Sequence, residues 1–361
     1  MSLQHVATSA AAAIGVAGFE DHLGFGDTRH AVVVLIDGLG WQLLQQHASA
    51  APNLTAVEGS KTDTVFPSTT PTALGALGTG SLAGAHGLMG GSFWLPEADV
   101  VLNPLQWPAE VSPIATQPEP TVFERAERAG VRVTTIADGK FADSGLTRAV
   151  LRGGAYVPSQ LTQSGSERLA VACGGSEASL TYVYWGALDR IGHEFGAGSR
   201  EWLRALREVD ALVANLADRL PADGVMLVTA DHGMVNCPPD ARIDISDDPE
   251  LMAGVVNIAG EPRVRHIYCS DDPQQVARRW AARLQGRAQV LTREELIDTG
   301  LLGPVDPELV ERIGDVVTIA RDNVSLTSRA DRRVSELLGQ HGALTEIERE
   351  IPLLWFRGAG R

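Results

Sequence analysis

Four short apolar runs, rich in β-branched residues, constrain the fold of this chain more than any other feature. An aspartate follows three of them, directly or after one residue, and the runs cover residues 31–36, 131–137, 180–185 and 225–229. Continuous apolar runs of this length are typical of strands buried on both faces. Helical patterns lie between them, for example over residues 121–129 and 199–220. The sequence therefore predicts an α/β fold with a mostly parallel central sheet and helices on both faces.

Polar side chains with metal-binding chemistry cluster where these strands end. Asp37 and Asp231 follow the first and the last run, and His232 follows Asp231 directly. Asp189 and His193 form a D-x-x-x-H pattern after the third run. In a parallel sheet ligands bind beyond the carboxyl ends of the strands, so we expect these groups to converge.

Carboxylate oxygen and imidazole nitrogen are ligands of Zn²⁺, and Mn²⁺ accepts the same mixture. His341, in the segment GQHGALT, adds a further imidazole near the C-terminus. Each position alone has a simpler explanation, since an Asp-Gly pair is more often a turn. Their combination predicts a metal site.

Charge and cysteine usage exclude several classes of protein. The chain has 361 residues and a formal net charge of −15, which is too acidic for general nucleic-acid binding. Its three cysteines are widely spaced and odd in number, which argues against a disulfide framework. No Lys or Arg precedes the Ala-rich N-terminal segment, and no apolar run reaches the length of a membrane span. We therefore expect a cytoplasmic protein that does not bind membranes.

The pattern favours a single catalytic domain over residues 1–361. Within it, residues 262–320 could form a small inserted α+β subdomain. Strand-like and helical segments alternate there, over residues 264–269, 273–284, 288–292, 293–297 and 315–319.

A candidate nucleophile lies in the segment TVFPSTTPTALGALGTG, residues 64–80. Pro71 suits the first turn of a helix, which predicts Thr70 as the N-cap. A hydroxyl at a helix N-terminus lies where the free N–H groups favour an alkoxide and a phosphate oxygen. Capping alone would also explain Thr70, and both roles can hold together. Thr69 and Thr72 remain alternative nucleophiles.

The ordered segments LIDGLG, TVFPSTTPTALGALGTG, AHGLMG, WGALDRIGH, TADHGM and GQHGALT resemble the alkaline phosphatase superfamily. Within it the chain resembles the type I phosphodiesterase/nucleotide pyrophosphatase branch, over residues 33–345. This resemblance implies an alkaline phosphatase-like fold and a site for two divalent metal ions, usually zinc. It also implies hydrolysis of small phosphate esters, most often phosphodiester or nucleotide pyrophosphate bonds.

The resemblance assigns roles residue by residue. Thr70 matches the covalent nucleophile and is preferred to Thr69 because it lies nine residues before Thr79, the spacing seen in relatives. The residues implied to hold one metal ion are Asp37, Thr70, Asp231 and His232, and those implied to hold the other are Asp189, His193 and His341. The implied route is attack by Thr70 on phosphorus, formation of a phosphothreonine, and release by water.

One departure from the family pattern concerns substrate contacts. Nucleotide pyrophosphatases commonly carry an Asn after the H-G-[IL] segment, whereas Gly90, Gly91 and Ser92 follow it here. A nonbridging phosphate oxygen would then meet the Gly91 N–H or the Ser92 hydroxyl. A sulfatase is disfavoured because no Arg follows Thr70-Pro71-Thr72.

The sequence is also compatible with three other functions. The first is a phosphomonoesterase. The second is a phosphotransferase of the cofactor-independent phosphoglycerate mutase kind, although no long insertion lies between Gly80 and Leu180. The third is a non-catalytic, metal-stabilised binding protein.

Overall fold

The apolar runs lie side by side in one sheet. The computed structural model describes residues 1–358. Its strands are β1 (His30–Ile36), β2 (Gly59–Asp63), β3 (Phe93–Leu95), β4 (Val100–Leu102), β5 (Arg132–Ala137), β6 (Ala155–Pro158), β7 (Ser179–Trp185), β8 (Gly224–Thr229), β9 (Val235–Asn236), β10 (Arg242–Asp244), β11 (Val255–Glu261), β12 (Val264–Cys269), β13 (Ala288–Thr292), β14 (Val316–Ala320), β15 (Ser325–Thr327), β16 (Gly339–Gln340) and β17 (Glu350–Arg357).

The α-helices are mostly short and alternate with these strands. They are α1 (His5–Ala13), α2 (Trp41–Gln46), α3 (Pro52–Thr55), α4 (Thr70–Thr79), α5 (Ala83–His86), α6 (Pro113–Thr116), α7 (Val122–Arg128), α8 (Gly145–Val150), α9 (Leu161–Ala172), α10 (Ala187–Phe195), α11 (Arg200–Ala217), α12 (Pro249–Met252), α13 (Pro273–Leu284), α14 (Arg293–Asp298), α15 (Arg332–Ser335) and α16 (Glu346–Arg349). None of the helices in residues 1–358 combines the length and hydropathy needed to cross a bilayer.

The central sheet has seven strands in the order β2-β17-β8-β1-β7-β5-β6. The five strands from β8 to β6 run parallel; at one edge β17 is antiparallel to β8, and β2 is antiparallel to β17. Helices α1, α4 and α7 pack together, and α3, α9 and α11 form a second group. Every residue of β1 and β8 is buried, as expected for strands covered on both faces. The predicted α/β fold class is confirmed.

The register of the three inner strands places their carboxyl ends level. Ile36 pairs with Trp185 of β7, and Leu35 pairs with Thr229 of β8. The residues that follow these strands therefore enter the same crevice, as ligand-binding residues do in open parallel sheets.

Residues 255–320 contain a second sheet, which is antiparallel and has the order β11-β12-β14-β13. Helix α13 packs against it through Trp280 and Leu284, in a hydrophobic cluster separate from the main core. Strand β11 precedes residue 262, where the sequence placed the start of a subdomain. The division of the chain into a catalytic domain and an inserted subdomain stays a prediction.

Helix α4 begins one residue earlier than the sequence suggested. Thr69, in an extended conformation, is the N-cap, and Thr70 is the first helical residue, so the prediction of Thr70 as N-cap was wrong. Pro71 occupies the second helical position, where its missing N–H is also not needed. The helix is buried throughout, and a Cβ at Gly78 would lie 1.8 Å from the Val150 carbonyl oxygen. The small residues of this segment therefore permit close packing against α8.

A buried ion pair connects the second sheet to the crevice. Arg263 donates to both carboxylate oxygens of Glu348, over 2.9 and 2.7 Å, and both side chains are fully buried. Glu348 also accepts the N–H of Ala343 at its carboxylate and that of Gly233 at its carbonyl. It thereby fixes the segments that follow His341 and His232.

We predict that Glu348→Ala destabilises the protein by about 3–5 kcal/mol, because Arg263 would keep a buried charge without its partner. Urea denaturation measures the free energy of unfolding. Glu336→Ala is the matched control, since it removes a carboxylate from an exposed pair with Arg332 and should change stability little. Equal effects of the two substitutions would contradict the structural role of Glu348.

Candidate active site

Two buried carboxylates and a third that is partly exposed converge at the carboxyl ends of the inner strands. Asp37 follows β1, Asp189 lies in the first turn of α10, and Asp231 follows β8. The N–H groups of Gly38 and His232 each donate to Asp231 Oδ1 over 3.0 Å. The turn after β8 therefore holds this carboxylate rigidly.

The first cluster surrounds His232. Its Nε2 atom lies 3.5 Å from Asp37 Oδ1 and 3.3 Å from Asp231 Oδ2. The hydroxyl oxygen of Thr70 lies 3.2 Å from the same nitrogen. The structure thus brings together the four side chains that the family resemblance assigned to one metal ion.

The second cluster contains Asp189, His193 and His341. Helix α10 places Asp189 and His193 one turn apart on the same face, with 3.3 Å between Oδ2 and Nε2. His341 Nε2 lies 3.8 Å from Asp189 Oδ1 and 3.2 Å from His193 Nε2. The rings of His341 and His232 stack with their centroids 3.6 Å apart, so the two clusters are adjacent.

Backbone carbonyls orient all three imidazoles. The Nδ1 atoms of His193, His232 and His341 lie 2.7, 2.9 and 3.0 Å from the carbonyl oxygens of Gly339, Gly233 and Ser68, respectively. A carbonyl only accepts hydrogen bonds, so the proton of each neutral ring lies on Nδ1. The Nε2 lone pairs then point into the crevice, the arrangement found in metal-ligating histidines.

These lone pairs and carboxylates fit a divalent metal site. The unprotonated Nε2 atoms of His193 and His341 face each other at 3.2 Å. Three buried carboxylate oxygens, Asp37 Oδ1, Asp189 Oδ1 and Asp231 Oδ2, have no hydrogen-bond donor among the described residues. Acceptors that face acceptors repel each other, and a cation between them replaces this repulsion with attraction. Two groups of side chains lie close enough together to hold a metal ion: Asp189 with His193 and His341, and Asp37 with Asp189 and His232.

Burial and the proximity of like charges shift the pKa values of side chains in both clusters. Burial, followed by the charges of Asp231 and Asp189, raises the pKa of Asp37 well above its usual range. Burial also raises the pKa of Asp189 to about 6 and lowers the pKa of His232 to about 3. A bound dication favours anionic carboxylates and neutral imidazoles.

A cavity of about 540 Å³ adjoins Asp37 and Thr70. Its wall includes five aromatic side chains, and Lys140 and Arg190 also line it; the aromatic residues are Phe141, Tyr156, Tyr182, Tyr184 and Trp185. The Tyr184 hydroxyl donates to Asp37 Oδ2 and so orients this carboxylate. The sequence analysis missed Tyr184, although the alternation of Tyr182 and Tyr184 in β7 could have indicated one shared face.

The two residues predicted to contact phosphate make contacts within the protein. The Gly91 N–H donates to Glu261 Oε2 over 2.7 Å. The Ser92 hydroxyl donates to the Gly260 carbonyl over 3.0 Å and accepts the Gly260 N–H over 2.9 Å. Glu261, which the sequence analysis missed, is buried, and burial raises its pKa to about 8. A phosphate-binding role for Gly91 and Ser92 stays a prediction.

The fold and the two Asp/His clusters define a hydrolase of the alkaline phosphatase superfamily. More specifically, the chain belongs to the type I phosphodiesterase/nucleotide pyrophosphatase family, whose model matches residues 31–344.

Relatives with solved structures share the fold at low sequence identity. Murine ectonucleotide pyrophosphatase/phosphodiesterase 5 superposes with a TM-score of 0.72 at 19% identity, over 91% of this chain and 88% of that one. An inactive form of it, in which alanine replaces a threonine, is in complex with AMP and gives a TM-score of 0.70 at 19% identity, over 91% and 87%. Phosphonoacetate hydrolase from Sinorhizobium meliloti 1021, with phosphonoformate, gives 0.69 at 20% identity, over 92% and 91%.

Among curated proteins, human bis(5'-adenosyl)-triphosphatase ENPP4 is 33% identical over 69 residues. The aligned segment spans 18% of this chain and only 15% of the length of that relative.

We predict that the metal-loaded protein holds about two ions per chain and that His341→Ala holds about one, because the second cluster loses a ligand. Elemental analysis of purified, dialysed protein measures this content. His22→Ala is the control, since its side chain is 44% exposed and lies outside both clusters. Unchanged metal content in His341→Ala would contradict the assignment of this ligand.

Proposed function

We propose that this protein hydrolyses phosphodiester or nucleotide pyrophosphate bonds of small molecules, with Thr70 as the nucleophile and two bound metal ions. One observation carries the proposal: the Thr70 hydroxyl lies 3.2 Å from His232 Nε2, beside both clusters and at the wall of the cavity. Nucleophile, charge-stabilising groups and space for a substrate therefore meet at one point.

The hydrogen bonds and positions of the neighbouring threonines support Thr70 as the nucleophile. The Thr72 hydroxyl donates to the Leu88 carbonyl over 3.0 Å, so it is engaged within the fold. Thr70 begins the ten-residue helix α4, where free N–H groups and the helix dipole favour negative charge. Thr69 remains the alternative. The inactive threonine-to-alanine form of the murine relative agrees with a threonine nucleophile in this family.

The reaction that fits this geometry has two displacements at phosphorus. Thr70 Oγ1 forms a bond to phosphorus while the bond to the leaving oxygen breaks. This step gives a phosphothreonine that still carries the second substituent of the ester, and the leaving alcohol or phosphate takes up the proton lost from the Thr70 hydroxyl. Water then forms the new bond to phosphorus, and Thr70 leaves. Tyr184 keeps Asp37 oriented, and backbone carbonyls hold the three imidazoles throughout.

Divalent ions, for which we propose Zn²⁺ first and Mn²⁺ second, would neutralise charge on the phosphoryl oxygens when bound. The Asp37, Thr70, Asp231 and His232 cluster would hold one ion, and the Asp189, His193 and His341 cluster the other.

The cavity supports a substrate with a second group on phosphorus. Lys140 and Arg190 line its wall, but so do Asp37, Asp138 and Asp189, and Lys140 pairs with Asp138 over 3.4 Å. Bound divalent ions would therefore supply most of the positive charge that attracts an anionic ester. The AMP complex of the murine relative supports a nucleotide among the substrate classes. A cytoplasmic location stays a prediction.

We predict that Thr70→Ala lowers kcat at least about a thousandfold, because the covalent step loses its nucleophile. Turnover of bis(p-nitrophenyl) phosphate with added Zn²⁺ or Mn²⁺ measures the effect, and elemental analysis should still find metal in the variant. Thr72→Ser is the control, since it keeps the hydroxyl that contacts Leu88. Full activity of Thr70→Ala would contradict the assignment of Thr70 as the nucleophile, and Thr69→Ala would then be tested.

We predict that kcat/KM for bis(p-nitrophenyl) phosphate exceeds that for p-nitrophenyl phosphate by about tenfold or more. A tenfold ratio corresponds to a difference of about 1.4 kcal/mol in the activation free energy. The cavity can contact the second ester group of the diester, and binding energy from remote groups lowers the barrier. Initial rates over matched substrate ranges give the two values. A preference for the monoester would favour the phosphomonoesterase alternative, and turnover of neither would favour a non-catalytic binding protein.

A further inference from the structure

Hydrogen bonds join the segment that carries Thr70 to the turn that carries His341. Ser68 lies two residues before Thr70 and is only 1% exposed. Its backbone carbonyl accepts the Nδ1 proton of His341 over 3.0 Å, and its N–H donates to the Gly342 carbonyl over 2.9 Å. The backbone of Ser68 therefore contacts the turn through both of its polar groups.

The side chain of Ser68 adds two further hydrogen bonds to the same turn. Its hydroxyl accepts the N–H of Gly342 over 3.2 Å and donates to the carbonyl of Ala343 over 2.7 Å. Three consecutive residues, 341–343, thus bond to one serine that lies 274 residues from Gly342 in the chain. Ser68 together with residues 341–343 is called here the Ser68 clasp.

The rest of the fold holds the two sides of the Ser68 clasp unequally. Thr70 begins α4, and all ten residues of this helix are buried. The turn at residues 341–343 lies between the two-residue strand β16 and the four-residue helix α16, and Glu348 accepts the Ala343 N–H from its far side. Segments with little regular structure shift at lower cost than a packed helix. Loss of the clasp would therefore move the turn, and the imidazole of His341 with it, while α4 keeps its place.

We propose that the Ser68 hydroxyl is a positioning group, which sets the distance between His341 in the second cluster and Thr70 in the first. It acts through the turn and not by direct contact with a metal ion or a substrate. Groups behind metal-ligating histidines tune metal affinity, and their loss typically lowers it by about 10- to 100-fold. The inference rests on the proposed function for the role of Thr70, but not for the geometry of the turn.

Zn²⁺ titration of metal-free protein against a chelator of known affinity tests this role in Ser68→Ala. We expect affinity for the ion of the second cluster to fall roughly tenfold, and affinity for the other ion to change less than about twofold, because the turn moves and α4 does not. The ion that His341→Ala fails to bind identifies the second cluster. Equal losses for both ions, no loss at the second cluster, or a wild-type protein that binds only one ion would overturn the proposal.

Ser179→Ala is the matched control for general destabilisation. Ser179 is a fully buried serine whose hydroxyl oxygen lies 2.8 Å from His30 Nδ1, at the start of β7 and so at the opposite end of this strand from the crevice. Both serine variants should lower Tm, since each loses hydrogen bonds of a buried hydroxyl, but Ser179→Ala should leave both metal affinities unchanged. If it weakens the second site as much as Ser68→Ala does, the proposal fails.

Ser68→Thr tests whether the hydroxyl itself is responsible. This variant keeps the donor and acceptor, so it should bind the second ion within about threefold of wild type. A second-site affinity as weak as that of Ser68→Ala would show that the hydroxyl is not the cause.

Gly342→Ala disturbs the same turn without changing Ser68, and it serves if Ser68→Ala does not fold. Gly342 has a φ of +134°, which disfavours a side chain, and a Cβ there would lie 2.7 Å from Glu261 Oε1. We expect the same selective loss of the second ion. Unchanged affinity at the second cluster in this variant would overturn the proposal.

The double variant Ser68→Ala/His341→Ala shows whether Ser68 acts through His341. Adding Ser68→Ala to His341→Ala should leave affinity for the remaining ion unchanged, because the turn no longer carries a ligand. A further loss would show that Ser68 acts on the first cluster instead, which contradicts the proposal.

Turnover of bis(p-nitrophenyl) phosphate at saturating Zn²⁺ gives a second readout. Ser68→Ala should lower kcat roughly tenfold and change KM little, because the spacing of the two clusters matters in the transition state more than in substrate binding. A raised KM with unchanged kcat would overturn the proposal. Failure of the proposed function is distinguishable: if wild-type protein hydrolyses no phosphodiester, the two metal affinities still measure the role of Ser68.

Discussion

The repulsion among three neighbouring carboxylates, two of them buried, is the constraint on which the site depends. Asp37, Asp189 and Asp231 meet because β1, β7 and β8 run parallel in matched register and end together. Burial, followed by the charges of Asp231 and Asp189, raises the pKa of Asp37. Burial also lowers the pKa of His232 to about 3, so this neighbouring imidazole adds no positive charge. Bound cations would stabilise these carboxylates as anions, so the geometry of the cluster suits it to hold divalent metal ions.

The second sheet supports this cluster through a buried ion pair. Through Arg263 it holds Glu348, and Glu348 fixes the segments that follow His232 and His341. These two histidines belong to different clusters, yet their rings stack. One buried ion pair therefore supports both clusters, which explains why residues far from the crevice in sequence bear on its geometry.

Much of the fold could be predicted because long apolar runs and amphipathic helices depend on local sequence. The inner strands and α11 lie within a few residues of their predicted bounds. Strand β2 was not predicted because its residues, GSKTD, are largely exposed and carry no apolar pattern. The N-cap of α4 was placed one residue late because Pro71 fits either of the first two helical positions. Local signals such as these identify a helix or strand but do not fix the residues at which it begins and ends.

The sequence by itself determined the fold class, the family and the candidate ligands, since strand-end aspartates and ordered motifs depend on residues close together in the chain. Only the tertiary structure decided which groups meet: Thr70 with His232, Tyr184 with Asp37, and Gly91 with Glu261. It alone showed that the hydroxyl oxygens of Thr135 and Tyr182, two residues that pair across β5 and β7, are buried without a hydrogen-bond partner among residues 1–358. The physical reason is that a hydrogen bond requires its two atoms within about 3 Å, and strand register and loop packing, rather than spacing in sequence, set that distance.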